Sequence, residues 1–585
     1  MARVKEARRA GGTFLGARVR SRRATAAAVC LLLLATEGTQ AQVLPRGSRD
    51  RPVERQREQQ RRELQEFNRR QPEESVLPPA PLPAPGTPER HAGEAQFLAR
   101  GFLFSGNTVF SQQELEETAK PYVNQWLTRA DLQRLRDELT LRYVKAGFVN
   151  SGAILPDQDV RDGIVEYRIV EGRLGEIEIE GNRYYRAGRL RARLDPGGDH
   201  PLQISELEDR LQLLLLDDRI RRLDAKLVPG VRAGDAKLQV GIEEHLPWQL
   251  SFEYDNETSP SVGSMGGTVS LANRNLTGNG DTLRGSYQFT RGLTDAEGSY
   301  ELPLTASDTR LELHYEYNLG KVVEDPFQPL DIKSRLISYG IGMSHPVYRT
   351  RTQELRIGFT SDRREDVTYL LGRRFSFSPG AQDGVSRLTV LRFYQDWVKR
   401  GATQVLAARS TVSVGLDVLG ATGASEARFV DWLAQFQWAR RFDRWWGIET
   451  IFRTDVQISS SPLFPMEQFS LGGAMSVRGY RENEIVRDNG WMSALEVRIP
   501  VWHASDGRPI VQIAPFVNGG TAWNTQRPTG EPKGLASIGV GIRVSPISRI
   551  HGELYWGHRL ISVVEPQHKS LQDQGIEFIV SLDLL

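Results

Sequence analysis

The chain has 585 residues, with 75 Lys and Arg against 73 Asp and Glu, a formal charge of +2, 55 glycines and one cysteine. That length holds roughly four domains of ~150 residues, or one large β-barrel in place of several of them. Charge and cysteine count exclude a polybasic nucleic-acid binder and a disulfide scaffold, and a mean hydropathy of −0.42 excludes a bundle of membrane helices, which needs repeated apolar runs of ~20 residues.

Residues 1–41 read as an export signal. Eight basic side chains precede Ala24, the apolar run Ala24–Ala35 follows, and Thr39-Gln40-Ala41 sets small residues before a cut at Gln42. The run is too short to span a bilayer, and Cys30 lies inside it. Removing the segment leaves 67 basic and 71 acidic residues, net −4, and no cysteine. Residues 49–71 are almost all Arg, Glu and Gln. Asp50 caps and Pro52 fits the first turn of a helix with no apolar stripe, suited to solvent or a water-filled space. Residues 72–95 hold seven prolines and form an extended linker.

An internal repeat follows. Phe104-Ser105-Gly106-Asn107-Thr108-Val109-Phe110 returns 75 positions later as Ile179-Glu180-Gly181-Asn182-Arg183-Tyr184-Tyr185. In each copy a strand enters a Gly-Asn turn. A helix opens on a capping box, Thr128-x-x-Asp131 or Ser205-x-x-Glu208, and an alternating strand closes the unit, Ile164–Glu171 or Lys237–Glu244. Two small α/β domains, 96–172 and 173–246, are expected.

From 247 to 585 the hydrophobic period becomes two. Leu311, Leu313, Tyr315, Tyr317 and Leu319 alternate with Arg310, Glu312, His314, Glu316 and Asn318. Sixteen such runs of about ten residues predict a transmembrane antiparallel β-barrel of sixteen strands. Turns alternate between tight ones, such as Pro303–Asp308, and long ones, Asp362–Val385 and Ser459–Asn489. Ten of the eleven tryptophans fall here, as interface anchors would. Half the wall's side chains stay polar, which reconciles the composition with a membrane protein.

Two α/β repeats ahead of a sixteen-stranded barrel, with Val477-Arg478-Gly479-Tyr480 in the long loop 459–489, resemble the POTRA-barrel superfamily of outer-membrane translocases and insertases. The polar helix and Pro-rich linker resemble one branch, the two-partner secretion transporters (TpsB type). The resemblance implies a loop folded into the lumen, its Arg meeting the acid of a wall pattern F-x-D-x-G. Strand thirteen here reads Phe516-Val517-Asn518-Gly519-Gly520, with Phe516, Asn518 and Gly520 on the lumen face. Asn518 replaces the acid, and an amide cannot form a charge-assisted bidentate pair. Either Arg478 takes another lumen acid, Glu449, Asp455 or Glu496, or the loop is held more loosely.

By the same resemblance, the chain exports one large secreted exoprotein from the periplasm of a Gram-negative bacterium. The client docks on the POTRA-like domains, and residues 49–71 plug the lumen at rest. The outer-membrane lipid, the barrel assembly machinery and the client are the expected partners, and nucleic acid is not. No catalytic residue, cofactor or metal site is expected: the sequence shows no P-loop or Ser/His/Asp spacing, and its nine His include no H-x-x-x-H. The rivals are an insertase of the same superfamily, which repeat number and plug helix disfavour, and a passive porin or adhesin barrel, which needs neither repeats nor the loop motif. Barrels of this type usually end in an aromatic residue read by the assembly machinery, whereas this sequence ends Asp583-Leu584-Leu585.

Overall fold

The computed structural model describes residues 96–584 save 161, 196, 198–199, 233 and 565–568. The export signal 1–41, the polar helix 49–71 and the linker 72–95 lie outside the described residues. The chain divides into two compact units, one ending at Pro247 and including the turn Asn275–Gly280, the other containing the barrel.

The first unit holds two modules of one plan. In the first, β1 (Phe97–Ala99) pairs with β3 (Gln125–Leu127), beside β2 (Gly101–Ser105), α1 (Gln112–Ala119), α2 (Arg129–Lys145), β4 (Gly152–Ile154) and β5 (Ile164–Val170). The main sheet runs β2-β5-β4, with β2 parallel and β4 antiparallel to β5. In the second module β6 (Arg173–Glu180), α3 (Ala187–Leu194), α4 (Ile204–Leu215), β7 (Ile220–Pro229) and β8 (Asp235–Glu244) give the order β6-β8-β7. Helix leucines at helical spacing, Leu132, Leu135 and Leu139 against Val165 and Tyr167, form the first core. Leu207, Leu211 and Leu214 against Leu238 and Val240 form the second.

The repeated Gly-Asn string has a structural cause. Asn107 Nδ2 donates to Phe110 O and Asn182 Nδ2 to Tyr185 O, both at 2.8 Å. A Cβ on Gly106 or Gly181 would sit 2.5 or 2.4 Å from the carbonyl oxygen of Ile169 or Ile242, so only glycine fits. A glutamate at the end of the module's last strand then collects the amides of the turn. Glu171 accepts from Thr108 N and Val109 N at 2.7 and 2.8 Å; Glu244 accepts from Arg183, Tyr184 and Tyr185 N at 3.0, 2.6 and 2.9 Å. Burial pushes the Glu171 carboxyl up, but the donors from Thr108 and Val109 outweigh it and hold it below the ordinary range.

The two helix starts differ from one another. Thr128 and Asp131 form the expected capping box on α2. Ser205 does not cap α4: that helix begins at Ile204, with Gln203 as an N-cap that makes no side-chain bond. Ile204 N donates instead to Gly147 O at 3.0 Å, so a carbonyl of the first module does the work of a cap.

The second unit is a closed antiparallel barrel of sixteen through-going strands. They are β9 (Trp248–Asp255), β10 (Gly266–Asn273), β11 (Thr282–Thr290), β12 (Leu293–Pro303), β13 (Arg310–Lys321), β14 (Lys333–Arg349), β15 (Gln353–Leu370), β16 (Val385–Arg400), β17 (Gln404–Leu416), β18 (Val430–Phe442) and β19 (Ile448–Ser459). After the short hairpin β20 (Phe469–Leu471) and β21 (Ile485–Arg487) come β22 (Asn489–His503), β23 (Pro509–Trp523), β24 (Gly534–Ile547), β25 (Ile550–Arg559) and β26 (Ile576–Asp583). A two-residue strand, Arg373–Arg374, adds to the end of β15. The ring closes through β26 on β9 over Ile579–Asp583.

Period-two patterning places the side chains as expected. On β13 Leu313, Tyr315 and Leu319 face outward, while Glu316 and Asn318 point inward and are buried. One loop is shorter than the sequence implies. Asp362 to Leu370 stay in the ladder, with Asp362 opposite Val390, so the connection to β16 is only 371–384. Here Arg363 and Glu365 occupy the outer face and Asp362, Arg364 and Asp366 the inner one. Beyond the hydrocarbon a strand needs no apolar face, and a doubly polar strand reads as loop.

Candidate functional site

The connection 460–488 between β19 and β22 enters the barrel as a folded arm. The hairpin β20–β21 pairs Phe469 with Arg487 and Leu471 with Ile485. Its apolar residues Phe469, Leu471, Val477, Tyr480 and Ile485 pack on Leu433, Met492, Ala522 and Leu535 of the wall. Burying this much apolar surface fixes where the tip carrying Val477-Arg478-Gly479-Tyr480 comes to rest.

Arg478 is 3% exposed, and its surroundings are built from three strands. Its Nη1 donates to Glu496 Oε2 on β22 at 2.5 Å. Its guanidinium carbon lies 3.8 Å from the Phe516 ring centroid on β23 and 4.6 Å from that of Tyr555 on β25, against two rings that stand edge to face with centroids 5.9 Å apart. The second Glu496 oxygen accepts from Arg498 Nε at 2.7 Å and from Tyr555 OH at 3.3 Å. Asn518 is present but secondary. With its carboxamide oxygen turned toward the arginine it accepts from Arg478 Nε and backbone N, both at 3.1 Å, and donates to Val517 O at 2.9 Å.

Register decides among the three acids named from sequence. Glu496 stands directly opposite Phe516, within the lumen-facing group that also contains Asn518. Glu449 opposes Arg498, and Asp455 opposes Met492 and accepts from Gln435 Nε2 at 3.2 Å. Only Glu496 of the three meets Arg478. Gly520 belongs to the same strand, close behind the hairpin: a Cβ there would lie 2.8 Å from Leu471 Cδ2.

The neighbours of Arg478 explain the rest of the motif. Gly479 has φ +90°, and a Cβ on it would sit 2.8 Å from Gly557 O on β25, so the two backbones touch. Gly479 N donates to Glu577 on β26 at 3.1 Å and its carbonyl accepts from Arg559 Nε at 2.6 Å. The Tyr480 hydroxyl lies 2.8 Å from the carbonyls of Ala536 and Ile561 and accepts from Ile561 N at 3.1 Å. Just beyond the motif, Arg481 bridges Asp573 at 2.6 Å and Glu324 at 2.7 Å. Sequence reasoning missed Tyr555, Arg559, Glu577, Glu324 and Asp573. For Glu577 a signal existed: it alternates with the outward Ile576 and Phe578.

The lumen around the arm is lined by charge, among others Glu253, Glu312, Arg392, Arg409, Arg453 and Arg543. Among the described residues one trio, Asp295, Glu297 and Glu316, brings carboxylate oxygens within 4.8 Å of one another. Oxygen donors of this kind suit a hard cation, and they also belong to the ordinary polar lining of a wet lumen.

Residues 234–544, more than half of the chain, match the family model described as haemolysin secretion/activation protein ShlB/FhaC/HecB. Residues 97–172 match the ShlB-type POTRA domain. Outer membrane transporter CdiB of Escherichia coli O6:K15:H31 is 25% identical over 494 residues, covering 79% of this chain and 78% of that protein. The solved structure of CdiB from Escherichia coli superposes with a TM-score of 0.63 at 21% identity, over 90% of this chain and 98% of that one. BamA from Haemophilus ducreyi lacking POTRA domains 1–3 shares the fold at a TM-score of 0.51 and 15% identity, covering 83% of this chain and 100% of that one. The fold is thus common to both, and the family model, not the barrel, makes the assignment. The chain belongs to the haemolysin secretion/activation family ShlB/FhaC/HecB, and is an outer-membrane transporter of two-partner secretion that works with a secreted exoprotein.

Proposed function

We infer that the arm 460–488 is the gate of this transporter and that the Arg478 contact is its release point. The observation that carries the reading is a buried guanidinium held in the lumen by one carboxylate, the Asn518 carboxamide and two rings of the wall. An unfolded client would reach the periplasmic modules first. Strand β2 is an edge of its three-stranded sheet and takes the added strand, with Leu103 on it offering exposed apolar surface. The plug 49–71 leaves the lumen when the client binds, the arm swings aside, and the client threads through. Folding of the client outside supplies the drive, and no step needs an enzymatic centre. Recognition of the nascent chain by the barrel assembly machinery belongs to biogenesis and not to transport.

A reversible crosslink tests the gate. Cys30 is the only cysteine and lies in the segment 1–41 read as an export signal, so cysteines placed by Leu471→Cys on the arm and Met492→Cys on the wall act alone. The two side chains pack in one cluster and both come within 3.1 Å of a Cβ built on Gly520. Oxidation should stop secretion of the exoprotein and reduction should restore it; secretion at the wild-type rate through the oxidised protein would rule out movement of the arm.

A further inference from the structure

The arm is gripped at a second place that the tip motif does not include. On its ascending limb Glu467 is 3% exposed and its two oxygens take two arginines of the wall. Arg364 on β15 donates from Nη1 at 2.9 Å, and Arg392 on β16 from Nη2 at 2.6 Å. Arg364 also donates to Met466 O at 2.8 Å. The other nitrogen of Arg392 binds Asp362, which in turn meets His314 Nε2 on β13 at 2.7 Å. Two guanidinium groups thereby face two directly bonded carboxylates in a desolvated cluster, with the buried Asp431 carboxyl close to both Glu467 and Arg392. An apolar patch holds the limb flat beside it: Leu463, Phe464 and Met466 pack on Leu388, Val390, Ala427 and Phe429. The shared carboxylate belongs to the arm and both guanidinium groups to the wall, the reverse of the polarity at Arg478.

We propose that Glu467 is a second, separable latch of the transport gate, a positioning residue that holds the ascending limb of the arm on β15 and β16 whether or not Arg478 is seated. This rests on the reading of 460–488 as the gate. Releasing the tip frees residues near Arg478 but leaves the limb pinned, so full opening needs both contacts broken. The chemistry suits that role. A buried carboxylate between two guanidinium groups is strongly held while intact, and once one partner is lost an uncompensated charge remains, so the latch is cooperative.

The test uses the full-length protein in planar bilayers, with a single cysteine from Met475→Cys, a lumen-lining position, as a second readout of arm position by labelling with a hydrophilic thiol reagent. Heat-modifiable gel migration confirms a folded barrel in each variant. Glu467→Gln should raise the open fraction and the labelling rate at least about tenfold, and Glu467→Asp, which keeps the charge, should stay nearer wild type. Combined with Arg478→Ala the effects should multiply. An unchanged open fraction and labelling rate in Glu467→Gln, with Arg478→Ala still active in both readouts, would overturn the second latch and leave the gate intact. Silence in both variants would overturn the gate itself. An Asp variant as open as the Gln variant would place the effect in packing and overturn the charge latch, and a double variant no more open than either single one would show one latch, not two.

Discussion

Glu496→Gln isolates the electrostatic part of the tip contact, because the side chain keeps its shape and one acceptor. In the seated arm the glutamate lies between Arg478 at 2.5 Å and Arg498 at 2.7 Å, all within the wall's buried polar layer. Removing one partner of a buried ion pair costs about 3–5 kcal/mol. The amide oxygen returns about 1 kcal/mol as a neutral hydrogen bond. The stacking of Arg478 on Phe516 and Tyr555 is unchanged by the substitution and drops out of the difference. A net loss of about 2–4 kcal/mol shifts the seated-to-released ratio about 30- to 700-fold, at about 1.4 kcal/mol per decade. Single-channel recording should register this as a rise in open fraction. Adding Asn518→Asp to Glu496→Gln should recover most of the closure, since position 518 already reaches the guanidinium. A Glu496→Gln protein that stays as closed as wild type, or a double variant as open as the single one, would refute the assignment of the tip contact to charge.

Gly479→Ala should open the pore as well, by a different cause. The new methyl group meets Gly557 O at 2.8 Å and the residue is held at φ +90°, a strain of about 1–3 kcal/mol; recording should show a raised open fraction with heat-modifiable migration retained. Deleting 49–71 should raise single-channel conductance while secretion of the exoprotein is largely kept, and an unchanged conductance would remove the plug. In the second module Asp217 is buried beside Arg219 and Arg193, at 3.0 and 2.5 Å. Burial pushes its carboxyl up, but the two guanidinium groups more than reverse this and hold it well below the ordinary range. Its contribution is therefore present above the unfolded value of about 4 and is lost as pH falls toward the depressed folded value. Asp217→Asn should cost about 3–5 kcal/mol at neutral pH, read as faster protease cleavage within 173–246. It should also flatten the acid dependence of that cleavage below about pH 4, whereas an unaltered acid dependence would show that Asp217 does not set it.

The barrel was legible because its signal is periodic and one-sided. Outward Leu313, Tyr315 and Leu319 against inward Glu316 and Asn318 give strand, face and environment together. The signal fades where the physics behind it fades. At Asp362–Asp366 both faces of the strand turn polar, and the alternation disappears although the ladder continues. The Ser205 box failed for a related reason. Its spacing satisfies a local rule, but a tertiary partner, Gly147 O, takes the amide at the start of the helix, and the N-cap falls at Gln203, two residues before Ser205.

The partner of Arg478 marks the boundary between what one strand's pattern holds and what pairing adds. Alternation alone puts Glu449, Asp455 and Glu496 on the lumen face and cannot rank them, since each is one of several inward residues on its strand. Ranking needs the register of β22 on β23, which sets Glu496 opposite Phe516. Register in turn depends on every pair along the two strands, not on the residues of the site. That explains how an asparagine can stand at position 518, where the family resemblance leads one to expect an acid. The carboxylate that meets Arg478 stands one strand over, on β22, while Phe516 and the approach of Gly479 to Gly557 complete the seat. A guanidinium with five donors in a plane donates in more than one direction, and Arg478 reaches both Glu496 on β22 and Asn518 on β23 while the rings and the glycine contact hold the arm's tip in place.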